Sequence, residues 1–215
     1  MKRTCMISMF PCGSPITKHF PLFLKGFLAG FLLLFLACKE KNYEKVPDKS
    51  IGTVTDSLKR GEYLVNTIGC HDCHSPKRMG EYGPEIIPEL ALSGYQAGQP
   101  LPKVPNDAIE GGWMLMNADL TAAAGPWGIS YAANITSDDT GIGTWKKEQF
   151  IKSIRDGKHM GMPEGRAILP PMPWQNFAKL SDEDLEAIFS YLKSTKPVNN
   201  AVPPPSSPNK IASVQ

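Results

Sequence analysis

Two cysteines three residues apart, with a histidine directly after the second, are the residues of this chain whose types and spacing point most directly to chemistry: Cys70-His71-Asp72-Cys73-His74. The pattern is that of c-type haem attachment. The two thiols add to the haem vinyl groups as thioethers, and the adjoining imidazole of His74 binds the iron from one face. Other uses of the same residues ask for more than the chain offers. A redox dithiol needs only Cys70 and Cys73, but it sits in a thioredoxin-like βαβ pattern that the neighbouring residues lack. A zinc site needs further ligands, and beyond Cys38 no cysteine stands outside the pentapeptide.

An iron held by one histidine has a sixth position, and its occupant decides between two classes of function. A methionine or second histidine closes the iron and makes an electron carrier; an open position admits a small ligand. The candidates are Met79, Met114, Met116, Met160, Met162, Met172 and the lone His159. Met172 is the expected ligand. It lies in Leu169-Pro170-Pro171-Met172-Pro173-Trp174, whose prolines exclude a helix and restrict the backbone, so that a loop holds the sulfur with little ordering entropy left to lose. Core packing by a flexible apolar side chain is the bland alternative. His159 is the rival ligand, with Met160 and Met162 after it. Met172 and His74 are therefore the expected metal ligands.

The amino-terminal residues fit a chain exported to where haem c is attached. Lys2, Arg3, Lys18 and Lys25 precede an apolar and small-residue run over residues 26–37, and no acidic residue occurs before Cys38. This is a positive region, a hydrophobic region and a small residue before the cut. Twelve residues are short for a bilayer core of about 30 Å, so a cleaved signal is expected over residues 1–37. Phe35-Leu36-Ala37-Cys38 resembles a bacterial lipoprotein box, with Phe35 where leucine is usual, which makes Cys38 the expected lipidation site. The five cysteines are then all assigned: Cys5 and Cys12 leave with the signal, Cys38 takes lipid, and Cys70 and Cys73 take haem. Four of the 23 basic residues and none of the 21 acidic ones fall in the first 37, so the mature part carries net −2 and shows no basic patch for nucleic acid.

The elements that must position these groups follow. Residues 38–55 are polar and aperiodic and read as a tether between membrane and domain. Helical spacing over 56–69, with Thr55 or Asp56 as cap and Gly69 as stop, delivers the chain into the haem motif. Residues 75–139 are loop-rich, with seven prolines, and are expected to carry short elements of their own. A second helix runs from Trp145 to about Asp156, and the last begins at Ser181-Asp182-Glu183-Asp184, where a serine cap precedes a cluster of carboxylates. Leu185, Ile188, Phe189 and Leu192 give it one apolar face, and Pro197 stops it. The domain is placed at 56–198, and residues 199–215, rich in Pro, Ser and Asn, are placed as a disordered tail.

With the haem motif after a first helix and a Met loop before the last, residues 57–202 resemble the class I type cytochrome c family. More specifically, Ala133-Asn134-Ile135-Thr136-Ser137-Asp138-Asp139, Gly143-Thr144-Trp145, Phe150, Arg155-Asp156-Gly157, Pro171-Met172-Pro173 and Leu180-Ser181-Asp182-Glu183-Asp184-Leu185 are similar to the cytochrome c subunits of membrane-bound alcohol and aldehyde dehydrogenases. Those subunits generally carry three haem domains where this chain has one motif, and Ser137 stands where they commonly have proline. The resemblance implies an all-α cytochrome c fold around one covalent haem c and its iron, with a long loop-rich insertion. It also implies that Asn134, Trp145 and Arg155 lie near the haem. The expected function is single-electron transfer in the bacterial cell envelope, facing the periplasm, by a lipid-anchored carrier that is not itself an enzyme. Its partners would be envelope redox proteins, such as a dehydrogenase or a terminal oxidase. The alternatives are a dedicated subunit of a dehydrogenase complex, or a haem enzyme or sensor with an open sixth position; a di-haem peroxidase would need a second motif.

Lipidation has a direct test. Cys38→Ser is expected to abolish fatty-acid labelling and to release the protein from membranes in soluble form; membrane retention with an intact amino-terminal segment would show an uncleaved anchor instead.

Overall fold

The computed structural model describes residues 53–209. The expected signal 1–37, Cys38 and all but the last residues of the 38–55 tether lie outside the described residues. Helix α1 covers Val54–Thr67. It starts before the expected point because Thr53 is the cap: its hydroxyl accepts from the Asp56 N–H at 3.1 Å. Gly69, left-handed at φ 86°, then turns the chain into the single-turn helix α2, Cys70–His74.

Residues 77–131 correct the all-α expectation. Strands β1 (Lys77–Gly80) and β2 (Gly83–Ile86) form a hairpin, and helix α3 (Asn106–Glu110) precedes a second antiparallel sheet. That sheet is β3 (Leu115–Met116), β4 (Ala122–Gly125) and β5 (Gly128–Tyr131), in the order β3-β4-β5. Register places Ala122 opposite Tyr131, Ala123 opposite Ser130 and Gly125 opposite Gly128, so Pro126 and Trp127 form a two-residue loop. Pro84 lies on the two-stranded hairpin and Pro126 in the β4–β5 loop, where neither removes an interior ladder bond.

Helix α4 (Lys147–Asp156) begins two residues later than expected, at a cap where the Gln149 side chain accepts from the Lys146 N–H at 2.9 Å; Gly157 ends it as expected. The four-residue helix α5 (Trp174–Phe177) leads into α6 (Asp182–Ser194). Ser181 caps α6 by accepting from the Asp184 N–H at 3.1 Å, with Asp182, Glu183 and Asp184 in the first turn.

The core is where α1, α4 and α6 meet. Leu64 and Val65 of α1, Phe150 and Ile154 of α4, and Leu185, Ile188, Phe189 and Leu192 of α6 form one buried cluster with Leu92 and Ile142. Helices α1 and α6 touch backbone to backbone: a Cβ on Gly61 would lie 2.0 Å from the Ala187 carbonyl oxygen. Arg60 pins the same crossing with a two-pronged bond to Asp184, at 2.8 and 3.1 Å.

The carboxy-terminal residues depart from the expected tail. Asn200 is buried, donates to the carbonyls of Ser93 and Tyr95 at 2.8 and 2.9 Å, and accepts from the Ala97 N–H at 2.9 Å. Ser206 and Ile129 exchange backbone bonds of 2.9 Å each way. This contact needs Gly128, whose φ is 102° and whose added Cβ would lie 1.9 Å from the Ser206 carbonyl oxygen. Residues 199–209 are therefore a strap over the insertion, and 210–215 lie outside the described residues.

Gly61→Ala tests the helix crossing by its sign. Helix propensity alone favours alanine by about 1 kcal/mol, whereas the overlap with Ala187 is expected to cost about 1–3 kcal/mol or more. A lowered denaturation midpoint is the expected outcome; a raised one would show that the two backbones do not meet at Gly61.

Candidate functional site

On the single turn of α2, Cys70 and Cys73 stand three apart and share a face. Both are half-buried free thiols, and Cys70 packs against the main core cluster. Burial, aided by the Asp72 carboxylate, pushes the Cys70 thiol up to about 11, and burial also raises Cys73 against the opposing pull of Lys77. Among the described residues no three His, Cys, Asp or Glu side chains cluster as a metal site of their own.

His74 is oriented by a bond outside its own helix. Its Nδ1 lies 2.7 Å from the carbonyl oxygen of Ala133, just beyond β5. A carbonyl only accepts, so Nδ1 carries the proton and Nε2 keeps its lone pair. Burial lowers the pKa of this ring, which keeps it neutral. A neutral imidazole with one nitrogen fixed as donor is the form in which histidine binds a metal. The two thiols and Nε2 together are the donor set that covalent haem requires, and the residues present fit that group.

Lys77 completes the turn and was not singled out from the sequence. Its ammonium reaches the carbonyls of His71, Asp72 and Ser75, at 3.3, 2.7 and 2.9 Å, and that of Asp119 at 3.1 Å. A lysine three residues past a haem motif carries no sequence signal of this, because its role depends on Asp119, 42 residues away.

Met172 is half-buried and packs on the same core cluster as Cys70, in company with Ile135, Trp145, Phe177 and Leu180. The other methionines point elsewhere. Met79 is 72% exposed, and Met114, Met116 and Met162 are exposed as well. Met160 takes a left-handed φ of 58° in a short 3-10 turn, His159–Gly161. His159 is on the surface with its ring edge toward Trp145, centroids 6.2 Å apart.

Of the three residues placed near the haem by resemblance, two make hydrogen bonds within the protein and one packs on the core cluster. Asn134 is buried, donates to the Val198 carbonyl at 2.8 Å, and accepts from the Thr136 N–H and hydroxyl at 3.0 and 2.7 Å. Arg155 donates to the Ala178 carbonyl and pairs with Asp182, joining the end of α5 to the start of α6. For both, the polar atoms are satisfied within the protein. Trp145 is half-buried against the core cluster.

This arrangement, two attachment thiols and a neutral histidine on one turn between a first and a last helix that cross, defines a c-type cytochrome domain. The cytochrome c family model matches residues 58–196, and the chain belongs to that family, whose members carry covalently bound haem c with its iron. It is similar to the fructose dehydrogenase cytochrome subunit of Gluconobacter japonicus, 28% identical over 68% of this chain and 23% of that one. It is also similar to the gluconate 2-dehydrogenase cytochrome c subunit of Pantoea cypripedii, 32% identical over 62% and 22%. The cytochrome c subunit of the quinone-dependent alcohol dehydrogenase of Gluconobacter oxydans is 31% identical over 66% and 22%. The chain thus matches less than a quarter of the length of each of these relatives.

One covalent haem per chain is expected on Cys70 and Cys73. Acid–acetone extraction followed by intact mass should find the polypeptide heavier by one haem, and Cys70→Ala with Cys73→Ala should remove that increment; release of the haem from the unaltered chain would contradict attachment there.

Proposed function

We propose that this protein is a one-electron carrier of the bacterial cell envelope, with haem c attached through Cys70 and Cys73 and its iron held between His74 and Met172. The observation that carries the reading is the His74–Ala133 bond, which leaves Nε2 unprotonated on the same turn as Cys70 and Cys73. The haem supplies a ferrous–ferric couple. The polypeptide supplies attachment, a fixed imidazole, a thioether and an apolar surround from the core cluster. His74 and Met172 would hold the bound iron, which would leave no place on it for a substrate; the group would then supply electron transfer with no bond made or broken, and the protein would not be an enzyme in its own right.

In this reading residues 1–37 are a cleaved signal, Cys38 carries lipid, and residues 38–52 tether the domain, facing the periplasm. Among the described residues no helix is long and apolar enough to cross a membrane. A lipid anchor would raise the effective concentration of partners held in the same membrane.

A second reading, as the haem-bearing acceptor subunit of a dehydrogenase complex, differs in partner rather than chemistry. It is favoured by the insertion, which exposes Met79, Tyr82, Ile86, Trp113, Met114 and Met116. Large apolar side chains grouped on one segment mark contact surfaces. The relatives named as dehydrogenase cytochrome subunits point to a dehydrogenase as that partner.

Met172→Ala separates a carrier from a haem enzyme or sensor. It is expected to abolish the weak red-edge sulfur-to-iron band of the ferric protein, lower the reduction potential, and let cyanide and carbon monoxide bind readily; Met160→Ala and Met162→Ala should leave all three unchanged. A native spectrum in Met172→Ala together with an altered one in His159→Ala would establish bis-histidine ligation.

A further inference from the structure

The loop that carries Met172 has an unusual hydrogen-bonding problem. Pro170, Pro171 and Pro173 have no N–H, so between positions 170 and 173 only Met172 has a backbone donor. The loop must be held mainly through its carbonyls, and each carbonyl needs a donor from elsewhere. Among the described residues, the donor to residues 169–172 is the hydroxyl of Ser130, which lies 2.6 Å from the Pro170 carbonyl oxygen. Ser130 is 8% exposed and sits on β5, opposite Ala123 of β4, where sheet pairing fixes its backbone.

The direction of the bond follows from counting protons. A serine hydroxyl has one. Two carbonyls stand near it, Pro170 at 2.6 Å and Ala123 at 3.4 Å, and the shorter is the normal length for such a bond. The Trp127 indole N–H, 3.2 Å away, donates to the same oxygen. The hydroxyl therefore receives from Trp127 and gives to Pro170.

Three residues further along the chain, just beyond β5, the Ala133 carbonyl accepts from His74. An extended chain rises about 3.3 Å per residue, so the two anchor points lie about 10 Å apart along one backbone. Ser130 within β5 holds the loop that ends in the methionine, and Ala133 just past the end of β5 orients the histidine. A methionine side chain has three rotatable bonds and does not fix its own sulfur, so the backbone must.

We infer that Ser130 is a positioning residue for the Met172 thioether: its hydroxyl ties the proline loop to β5 and so keeps the sulfur over the iron. This rests on the reading of Met172 as the sixth ligand. Ferric holoprotein carrying Ser130→Ala, Ser130→Thr, Met172→Ala, or Ser130→Ala with Met172→Ala is compared for the red-edge band and the rate of cyanide binding. Ser130→Ala is expected to weaken the band and speed cyanide binding about tenfold, the size of one lost buried hydrogen bond. Ser130→Thr, which keeps the hydroxyl, should restore both, and Ser130→Ala should add nothing once Met172 is gone. If Ser130→Ala yields no holoprotein, Ser130→Thr is compared with the equally large Ser130→Val, and faster cyanide binding in the valine variant is the supporting result. Equal band and rate with and without the hydroxyl, while Met172→Ala loses the band, would overturn the inference and leave the axial ligand standing. A band that survives Met172→Ala would overturn the ligand reading itself, and this inference with it.

Discussion

The hydrogen bond from His74 to the Ala133 carbonyl is the constraint on which the site depends. It settles in one contact which ring nitrogen is protonated, which way the ring faces, and where α2 sits relative to the inserted sheet. An unanchored imidazole would distribute its proton over both nitrogens and rotate about two bonds; a metal ligand requires neither freedom. The carbonyl is itself well fixed. Ala132, its neighbour, bonds through its N–H to the Thr121 carbonyl at 2.8 Å and through its own carbonyl to the Tyr95 N–H at 3.0 Å. Asn134, on the other side, is tied to Thr136 and to the strap.

Residues 75–139 therefore act as scaffold as well as surface. The strap from Val198 to Ser206 crosses them, with Asn200 holding the turn at Ser93 to Ala97 and Ser206 pairing with Ile129. Tyr95 and Tyr131 pack ring to ring, centroids 4.7 Å apart, beneath the same crossing. The Asn200 amide that does this is buried, which makes a wrong register costly: displacing the strap would take its bonds from the Ser93 and Tyr95 carbonyls and the Ala97 N–H, at about 1–3 kcal/mol for each group left unsatisfied.

Local signals were legible in the sequence where the chemistry is local. The haem pentapeptide needs only its own spacing, and the α6 cap and apolar stripe lie within thirteen residues, so both could be read directly. The Met172 loop was legible through its prolines. What failed was non-local. Strand β4 is Ala-Ala-Ala-Gly, a composition with no strand preference, and it is extended because its neighbours bury it on both faces. The strap reads as a solvated tail until Gly128 and Ile129 are known to lie beneath it. The internal bonds of Asn134 and Arg155, which only the resemblance singled out, are made to partners distant in sequence. Ser130 and Lys77 are common residues whose significance is set by partners 40 and 42 positions away.

The insertion also resolves a problem built into α2. A helix of five residues is far too short to stand alone, and its carbonyls have no intrahelical partners. The chain supplies donors from outside the turn: the Ser75 N–H bonds the His71 carbonyl, the Gly94 N–H that of His74 at 2.8 Å, and the Lys77 ammonium those of His71 and Asp72. A cation at a helix carboxy-terminus is also electrostatically favoured, and anchoring it to the Asp119 carbonyl makes it a bridge between the attachment turn and the residues leading into β4. Cutting residues 75–139 back to a short connection would remove the Gly94, Lys77 and Ala133 contacts together, freeing the carbonyls of α2 and the ring of His74 at once. In this chain the attachment turn and the insertion form one structural unit, so the helical frame by itself does not suffice to present the histidine to iron.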